Sequence, residues 1–375
     1  MSIGLDIGKG LPYGMSNLWE DRLTPNWTVI KEQLWFQEME NCPQDPTFHA
    51  EGDVGIHTKM VVEALKSLEE FQGLDAYMQQ VLLWAALLHD VAKPACTITD
   101  DAGYIRAPKH VVVGEKMARQ MLWKMDFETR ELICSLIRLH GLPIWCMDKE
   151  NPHRSAALAS LRLTNAHLYL LAKADVLGRK SSGQDDFLMR IELYKEFCQE
   201  QACWNQPQAF HNKHSQFKYF YKNEVYPAVL YDDTAFEVII LSAVPGSGKD
   251  TYAQRLDLPM ISLDAIRTEL KIDFSDKKGQ GKVAQLAYQR AKTYAAQKQS
   301  FVWNSTNLTR EMRMRIITTL SVYNPRFKLV YIETSKENVF ARRKGEIPKE
   351  VLEKMFHILE MPLSYEVHEI EYIRN

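Results

Sequence analysis

Several things are scarce or missing in this chain of 375 residues. None of its six cysteines (Cys42, Cys96, Cys134, Cys146, Cys198 and Cys203) falls in a C-x-x-C pair. In a chain this long that reads as reduced thiols, which sets a disulfide scaffold aside and makes the cytoplasm the expected location. The longest apolar run, Val81 to Leu88, is far short of the roughly 20 residues that a membrane span needs. The N-terminus lacks the basic-plus-apolar profile of a secretory signal. Charge of one sign is not in excess: the formal net charge is -2, so only local patches can serve a polynucleotide. No internal repeat or low-complexity tract breaks the chain. What is present is ordinary for a globular protein, 46% hydrophobic and 25% charged residues, with length enough for two domains that each bury a core.

Residues 1 to 26 are rich in Gly and Pro and read as irregular. Apolar positions at Trp27, Ile30, Leu34, Trp35 and Met39 predict a helix over 27–40, which Pro43 and Pro46 end. The stretch 47–53 is polar, and its His49, Glu51 and Asp53 read equally as a cleft wall or a solvated loop. A mostly helical region then runs from His57 to about Gln201. Set into it are His57, His89, Asp90, His110, His140 and Asp175. His57 opens an amphipathic helix with Met60, Val61, Ala64, Leu65 and Leu68 on one side, and His89-Asp90 closes the apolar run. His140 follows Ile133, Leu136 and Ile137 at helical spacing; Asp175 follows Leu168, Leu171 and Ala172. A carboxylate on a buried face is costly unless it is paired or bound to metal. One such histidine is most simply a satisfied core residue. A whole series at inward-facing positions on separate helices points to a cation. Histidine and carboxylate suit divalent transition metals, which activate water and neutralise phosphate charge.

The order H…HD…H…H…D resembles the HD-domain metal-dependent phosphohydrolases. The resemblance implies an all-α helical domain in which His57, His89, Asp90 and Asp175 are the core metal ligands. It implies that His110 and His140 add a second metal, so one or two divalent transition metal ions are expected. Lys93, in His89-Asp90-Val91-Ala92-Lys93, fits the family's extended motif and reads as a substrate-phosphate contact or as a solvated lysine.

From Gln199 to Ala235 the helical pattern fades. Trp204, Phe210, His211, His214, Phe217, Tyr219, Phe220, Tyr221 and Tyr226 interleave with Lys213, Lys218 and Lys222. That mixture reads as packing between two domains or as a base-stacking surface. The boundary is set near 225, giving domains 1–225 and 226–375.

The second domain is organised around Glu237 to Leu256. Val238-Ile239-Ile240-Leu241 reads as a buried strand, Ala243-Val244-Pro245-Gly246-Ser247-Gly248-Lys249 as a tight turn, and a helical pattern follows. Strand, glycine-rich turn and helix make a phosphate cradle, because successive backbone N–H groups face one oxyanion only where no Cβ intervenes. Pro245, Gly246, Ser247, Gly248, Lys249, Asp250 and Thr251 are the expected nucleotide-binding residues, with Lys249 on the β- and γ-phosphates. Two positions depart from G-x-x-x-x-G-K-[ST]: Ala243 stands for the first Gly and Asp250 for the Ser/Thr that holds Mg²⁺. Asp250 or Thr251 is left to serve the cation.

Beyond the cradle, a short strand within Leu258–Leu263 delivers Asp264 and Arg267 at its end, the edge where ligands bind in open α/β sheets. A helix is predicted over 282–299, a strand over 300–303, and a basic helix with Arg310, Arg313 and Arg315 after Thr306-Asn307. A strand over 328–333 closes a parallel sheet. The charged stretch Val339–Val351 reads as a mobile lid that brings Arg342 or Arg343 to a transferring phosphoryl group, or as an exposed helix end.

The P-loop, Asp264-x-x-Arg267, Thr306-Asn307 and the Arg-rich stretch before Ile347-Pro348 resemble the P-loop polynucleotide 5′-kinases. The resemblance implies Asp264 as general base for a 5′-hydroxyl, Arg267 on the acceptor's phosphate, and Arg342 or Arg343 on the donor's. Together the two halves resemble the bacterial HD-Pnk family of end-healing enzymes. That implies a kinase using ATP or another NTP with Mg²⁺, and a phosphoesterase acting on 2′,3′-cyclic phosphate and 2′-phosphate ends. Implied partners are RNA or DNA ends and the NTP donor, with a nucleic acid ligase and a second copy of the chain as companions and no membrane. The residues by themselves reach a metal phosphoesterase joined to a P-loop phosphotransferase. They leave open a nucleotide or nucleoside kinase fused to an HD nucleotidase, and a signalling module with one decayed site.

Overall fold

The computed structural model describes residues 16–273 and 275–375. Residues 1–15 of the irregular N-terminal stretch lie outside it. The chain divides into two compact units, Met1–Ala209 and Phe210–Asn375, a division upstream of position 225.

The first unit is built on the helix Ala76–Leu88, whose last eight residues, Val81 to Leu88, are all buried. A helix apolar on every side belongs at the centre of a bundle. The helices Val54–Ser67, Phe127–Leu139 and Asn165–Leu177 pack on it. Three of these four helices start on an aspartate. Asp53, Asp75 and Asp126 accept the N–H groups of Ile56, Met78 and Thr129, satisfying a donor that the helix itself cannot. One small antiparallel ladder, β1 (Ile98–Thr99) with β2 (Ile105–Arg106), departs from the expected all-α composition. The predicted helix over 27–40 is two helices, Trp27–Lys31 and Leu34–Glu40. Ile30 and Phe36 are both wholly buried. On one continuous helix these positions would point roughly 120° apart, and the break at Gln33 re-aims the second.

The second unit carries a five-stranded parallel sheet in the order β4-β5-β3-β6-β7. Its strands are β3 (Glu237–Ala243), β4 (Met260–Ser262), β5 (Phe301–Asn304), β6 (Arg326–Glu333) and β7 (Glu369–Arg374). The central β3 is buried from Val238 onward, as a strand covered on both faces must be. The sheet does not close at β6, as the sequence suggested; β7 pairs beyond it in parallel. Its sequence EIEYIR mixes charge into an edge position, which hid it. The segment 199–235 holds a further helix, Lys213–Lys222, belonging to this unit. Phe217 packs in the sheet's core with Phe236, Phe301 and Phe327, so it offers no face to a base. The long helix runs Lys277–Ala296, earlier than predicted, because Asp276 caps it.

Register decides what meets at the sheet edge. Ile240 pairs with Trp303, and Ser262 with Asn304. The C-terminal ends of β3, β4 and β5 therefore open on one side, bringing together the P-loop, Asp264 and the loop 305–309. That loop is held from behind by a wholly buried ion pair, Arg313 Nε to Glu366 Oε2 at 2.8 Å. Arg313 also donates to the carbonyls of Asn307, Leu308 and Glu360. Arg313 is thus a structural clamp and no part of a basic surface. Among the described residues no helix is long and apolar enough to cross a membrane.

Candidate functional site

In the first unit, helix ends bring the ligand-type residues to one point. His89 and His140 cap the C-termini of Ala76–Leu88 and Phe127–Leu139, His110 opens His110–Met121, and Asp175 lies in Asn165–Leu177. Each of three histidines sits within reach of the carbonyl three residues before it: His89 Nδ1 to Ala86 O, His110 Nδ1 to Ala107 O and His140 Nδ1 to Ile137 O, at 2.8, 2.8 and 2.9 Å. Such a bond places the proton on Nδ1 and leaves the Nε2 lone pair facing inward. His57 does the same through Gly178 O at 3.2 Å. A Cβ on Gly178 would come within 2.6 Å of the Val61 backbone, so glycine permits this approach.

Asp90 is the hub. Its Oδ2 lies 3.1 Å from His89 Nε2 and 2.7 Å from Lys93 Nζ, and its Oδ1 lies 3.4 Å from His110 Nε2 and 4.0 Å from His140 Nε2. His57 Nε2 faces Asp175 Oδ1 at 3.0 Å, and Arg179 Nη2 holds the other Asp175 oxygen at 2.5 Å. Burial works against charge on Asp90 and Asp175. His89 and Lys93 for the first, Arg179 and His57 for the second, outweigh it and hold both carboxyls well below the usual range. Burial pushes the His140 imidazole down to about 3, so it is neutral and able to ligate at pH 7.

These residues fit a divalent cation. His89 Nε2, Asp90 Oδ1 and His110 Nε2 are buried and have no hydrogen-bond partner. Among the described residues three ligand triplets each lie within 4.8 Å, His49-Glu51-His57, His57-His89-Asp90 and Asp90-His110-His140, and the last two share Asp90. The sharing accommodates one ion or two. A cavity of about 410 Å³ opens beside them, lined by Lys93, His110, Arg138, His140, Asp175 and Arg179 among others. Lys93 also donates to Gln44 Oε1 at 2.6 Å, so it is an ordered residue of the site and no solvated lysine.

Sequence reading left one contributor here undecided and missed another. Glu51, in the segment that read equally as a cleft wall or a solvated loop, has a buried side chain, with Oε1 2.8 Å from His49 Nδ1 and 3.1 Å from His57 Nδ1. Arg179 had a signal that went unused, its place four residues after Asp175.

In the second unit, Gly246 and Gly248 adopt φ of +89° and +99°, which glycine alone takes without strain, and Lys249 opens the short helix Lys249–Gln254. Lys249 Nζ lies 2.8 Å from Asp250 Oδ1 and 3.7 Å from Asp264 Oδ2. Asp264 is ion-paired to Arg267, whose Nε donates to Gln280 Oε1 at 2.9 Å. Burial works against charge on Asp250, but Lys249 and Asn304 lower its pKa overall. Arg342 donates to Gly246 O at 2.9 Å, and Arg343 pairs with Glu346 at 2.6 Å.

Two cavities flank the P-loop. One, of about 850 Å³, is bordered by Gly246, Gly248, Asp250, Thr251, Arg342 and Arg343. The other, of about 790 Å³, takes in Pro245, Lys249, Asp264, Arg267, Tyr288 and Trp303. Arg343 borders both. Ser247 is buried, its carbonyl accepting from Asn375 Nδ2 at 3.0 Å. Thr306 and Asn307 hold the strand end: Thr306 O accepts the Ala243 N–H, and Asn307 Nδ2 donates to Leu241 O at 2.7 Å. Arg342 is the last residue of the helix Lys336–Arg342, and the expected lid from Lys349 onward is the helix Lys349–Ile358, anchored by buried Leu352 and Phe356. Only residues 343–348 of the stretch 339–351 therefore lie outside these two helices.

Residues 54–175 match the HD domain family, and residues 238–359 match an AAA domain family. A Multifunctional CCA protein from Variovorax paradoxus (strain S110) is 28% identical over 167 residues, 43% of this chain and 32% of its own. A Multifunctional CCA protein from Acidovorax sp. (strain JS42) is 29% identical over 168 residues, 43% of this chain and 31% of its own. The chain thus spans about a third of the length of the curated relatives it matches. Among solved structures, a Chloroflexus aurantiacus protein is similar over 38% of this chain and 86% of its own, at 20% identity and a TM-score of 0.32. A gluconokinase from Sinorhizobium meliloti 1021 is similar over 38% and 83%, at 18% identity and a TM-score of 0.27. The chain joins an HD domain to a P-loop kinase-like domain with a parallel five-stranded sheet.

Proposed function

We propose that this chain is a bifunctional enzyme that heals broken nucleic acid ends, with a 5′-hydroxyl kinase in its second unit and a 2′,3′-phosphoesterase in its first. The observation that carries the reading is the pairing of chemistry and space around Lys249 and Asp264. Both border a cavity of about 790 Å³ that the half-buried Tyr288 also lines, an aromatic ring against which a terminal nucleobase can stack.

In the kinase, Lys249 and the P-loop N–H groups hold the phosphates of the NTP. Asp264 accepts the proton of the 5′-hydroxyl as its oxygen bonds to the γ-phosphorus and the bridging oxygen leaves with the nucleoside diphosphate. Arg267 fixes the Asp264 carboxylate and reaches the acceptor's phosphate, while Arg342 and Arg343 sit on the donor side.

In the phosphoesterase, His57, His89, Asp90, His110, His140 and Asp175 hold the divalent cation. When bound, it supplies charge against the phosphate and lowers the pKa of water. Lys93 and Arg179 at the cavity wall orient the phosphate, and Arg179 also steadies Asp175. Ends that leave with a 5′-phosphate and free 2′- and 3′-hydroxyls are those a nucleic acid ligase joins, which makes a ligase the proposed partner.

A cavity of about 790 Å³ is also the size for one free nucleoside, which favours a nucleoside kinase fused to a nucleotidase as the second reading. One short RNA with a 5′-hydroxyl and a 2′,3′-cyclic phosphate, incubated with ATP, Mg²⁺ and Mn²⁺, separates the two. Phosphate gained at one end and lost at the other supports end healing. Inert RNA with turnover of free nucleosides and nucleotides supports the second reading.

A further inference from the structure

P-loop enzymes hold the cation of a nucleoside triphosphate through two side chains. One is a neutral hydroxyl directly after the P-loop lysine; the other is a carboxylate delivered by a strand of the sheet. Here the residue after Lys249 is Asp250, and β5, the neighbour of β3, ends in Asn304. The carboxylate and the neutral group have traded places. The two side chains also meet: Asn304 Nδ2 donates to Asp250 Oδ1 at 2.8 Å. Asn304 is 1% exposed, and its Oδ1 is a buried acceptor with no hydrogen-bond partner. A buried amide oxygen left unpaired costs free energy unless something binds it. Asp250 borders the cavity that also holds Gly248, Thr251 and Arg343.

We infer, on the reading that the second unit is an NTP phosphotransferase, that its cation ligands are exchanged: Asp250 supplies the anionic oxygen and Asn304 Oδ1 the neutral one. Hard divalent cations accept carboxylate and amide oxygens alike, so the charge facing the triphosphate is the same as in the common arrangement. The departure at Asp250 is therefore a compensated change and no sign of a decayed site. Each half of the exchange is unfavourable alone. Serine at 250 beside Asn304 leaves no carboxylate. Aspartate at 304 beside Asp250 sets two like charges where a hydrogen bond now stands.

The test reads binding and not turnover. ATP affinity of the full chain is measured by calorimetry in EDTA and again in Mg²⁺, and the gain on adding Mg²⁺ is compared among variants. Asp250→Ser is expected to lose about tenfold or more of that gain. Asn304→Asp alone is expected to bind Mg²⁺·ATP more weakly than the wild type. The double variant Asp250→Ser/Asn304→Asp is expected to recover the gain to within about threefold of the wild type, while a purely structural coupling of the pair would shift the affinity in EDTA as well. An Asp250→Ser chain that keeps the full gain overturns the exchange, and so does a double variant no better than Asp250→Ser. A wild-type chain that binds no ATP in either condition removes the phosphotransferase reading itself, and this inference with it.

Discussion

His57 Nε2 and Asp175 Oδ1 lie 3.0 Å apart although 118 positions separate them in the chain. Two hydrogen-bond acceptors face each other at that distance only if a proton or a cation stands with them. Each residue is tied from behind, His57 by Gly178 O and Asp175 by Arg179. The pair is built to present oxygen and nitrogen inward, as is Asp90 beside His89.

Metal content follows from this arrangement. The full chain purified without chelator is expected to carry a divalent transition metal, and Asp90→Asn to lose most of it, since Asp90 belongs to two of the three ligand triplets. Glu51→Gln, which removes the carboxylate that faces His57 Nδ1, is expected to lower affinity by about 10- to 100-fold. Elemental analysis and chelator titration measure both. Undiminished metal in Asp90→Asn contradicts the ligand role.

The buried clamp behind the sheet edge sets a stability prediction. Glu366→Gln removes the partner of a wholly buried Arg313 guanidinium. Leaving one charge of a buried pair uncompensated costs about 3–5 kcal/mol. The loss is expected in the second unit, read by hydrogen exchange across 305–320 and 360–370 under denaturant. Unchanged protection there would mean that the pair contributes little.

Acid should act on the same unit through His368. Burial, then the neighbouring His214, pushes its pKa down to about 3. Phe327 N–H donates to His368 Nδ1, so His368 carries its proton on Nε2, 3.1 Å from His214 Nδ1. Asp232 and Asp233 face the pair and favour its charge, while Arg326 and Lys218 oppose it. The unfolded chain therefore binds a proton near pH 6.5 that the folded unit refuses. Stability from this group is complete above about pH 6.5 and falls as pH drops towards 3, by up to about 1.4 kcal/mol per pH unit. Denaturant unfolding of wild type and His368→Asn between pH 7 and 5 checks it; the variant is expected to show the shallower slope, and equal slopes contradict the account.

Much of this was legible because its chemistry is periodic or local. Glycines at 246 and 248 before Lys249 announce a phosphate cradle, and the ligand-type residues fall at the ends of strongly apolar helices. What stayed hidden depends on the third dimension. Glu51 sits in a polar stretch that reads equally as a cleft wall or a solvated loop, and only the fold decides it, by placing Glu51 under His57. Asn304 is unremarkable in sequence and gains meaning only because β5 lies beside β3 and delivers it to Asp250. β7 has the charged alternation of an edge strand, too weak a pattern to stand out in sequence.

The central claim, two independent sites that act on opposite ends of one strand, is tested most directly by crossing two inactivations. Asp90→Asn and Asp264→Ala would each be given the RNA bearing a 5′-hydroxyl and a 2′,3′-cyclic phosphate. Asp90→Asn should phosphorylate the 5′ end and leave the cyclic phosphate intact. Asp264→Ala should open and remove the cyclic phosphate while 5′ phosphorylation falls by about 10²- to 10⁴-fold, the usual contribution of a general base. A variant that loses both activities, or an Asp264→Ala chain that phosphorylates at the wild-type rate, would contradict it.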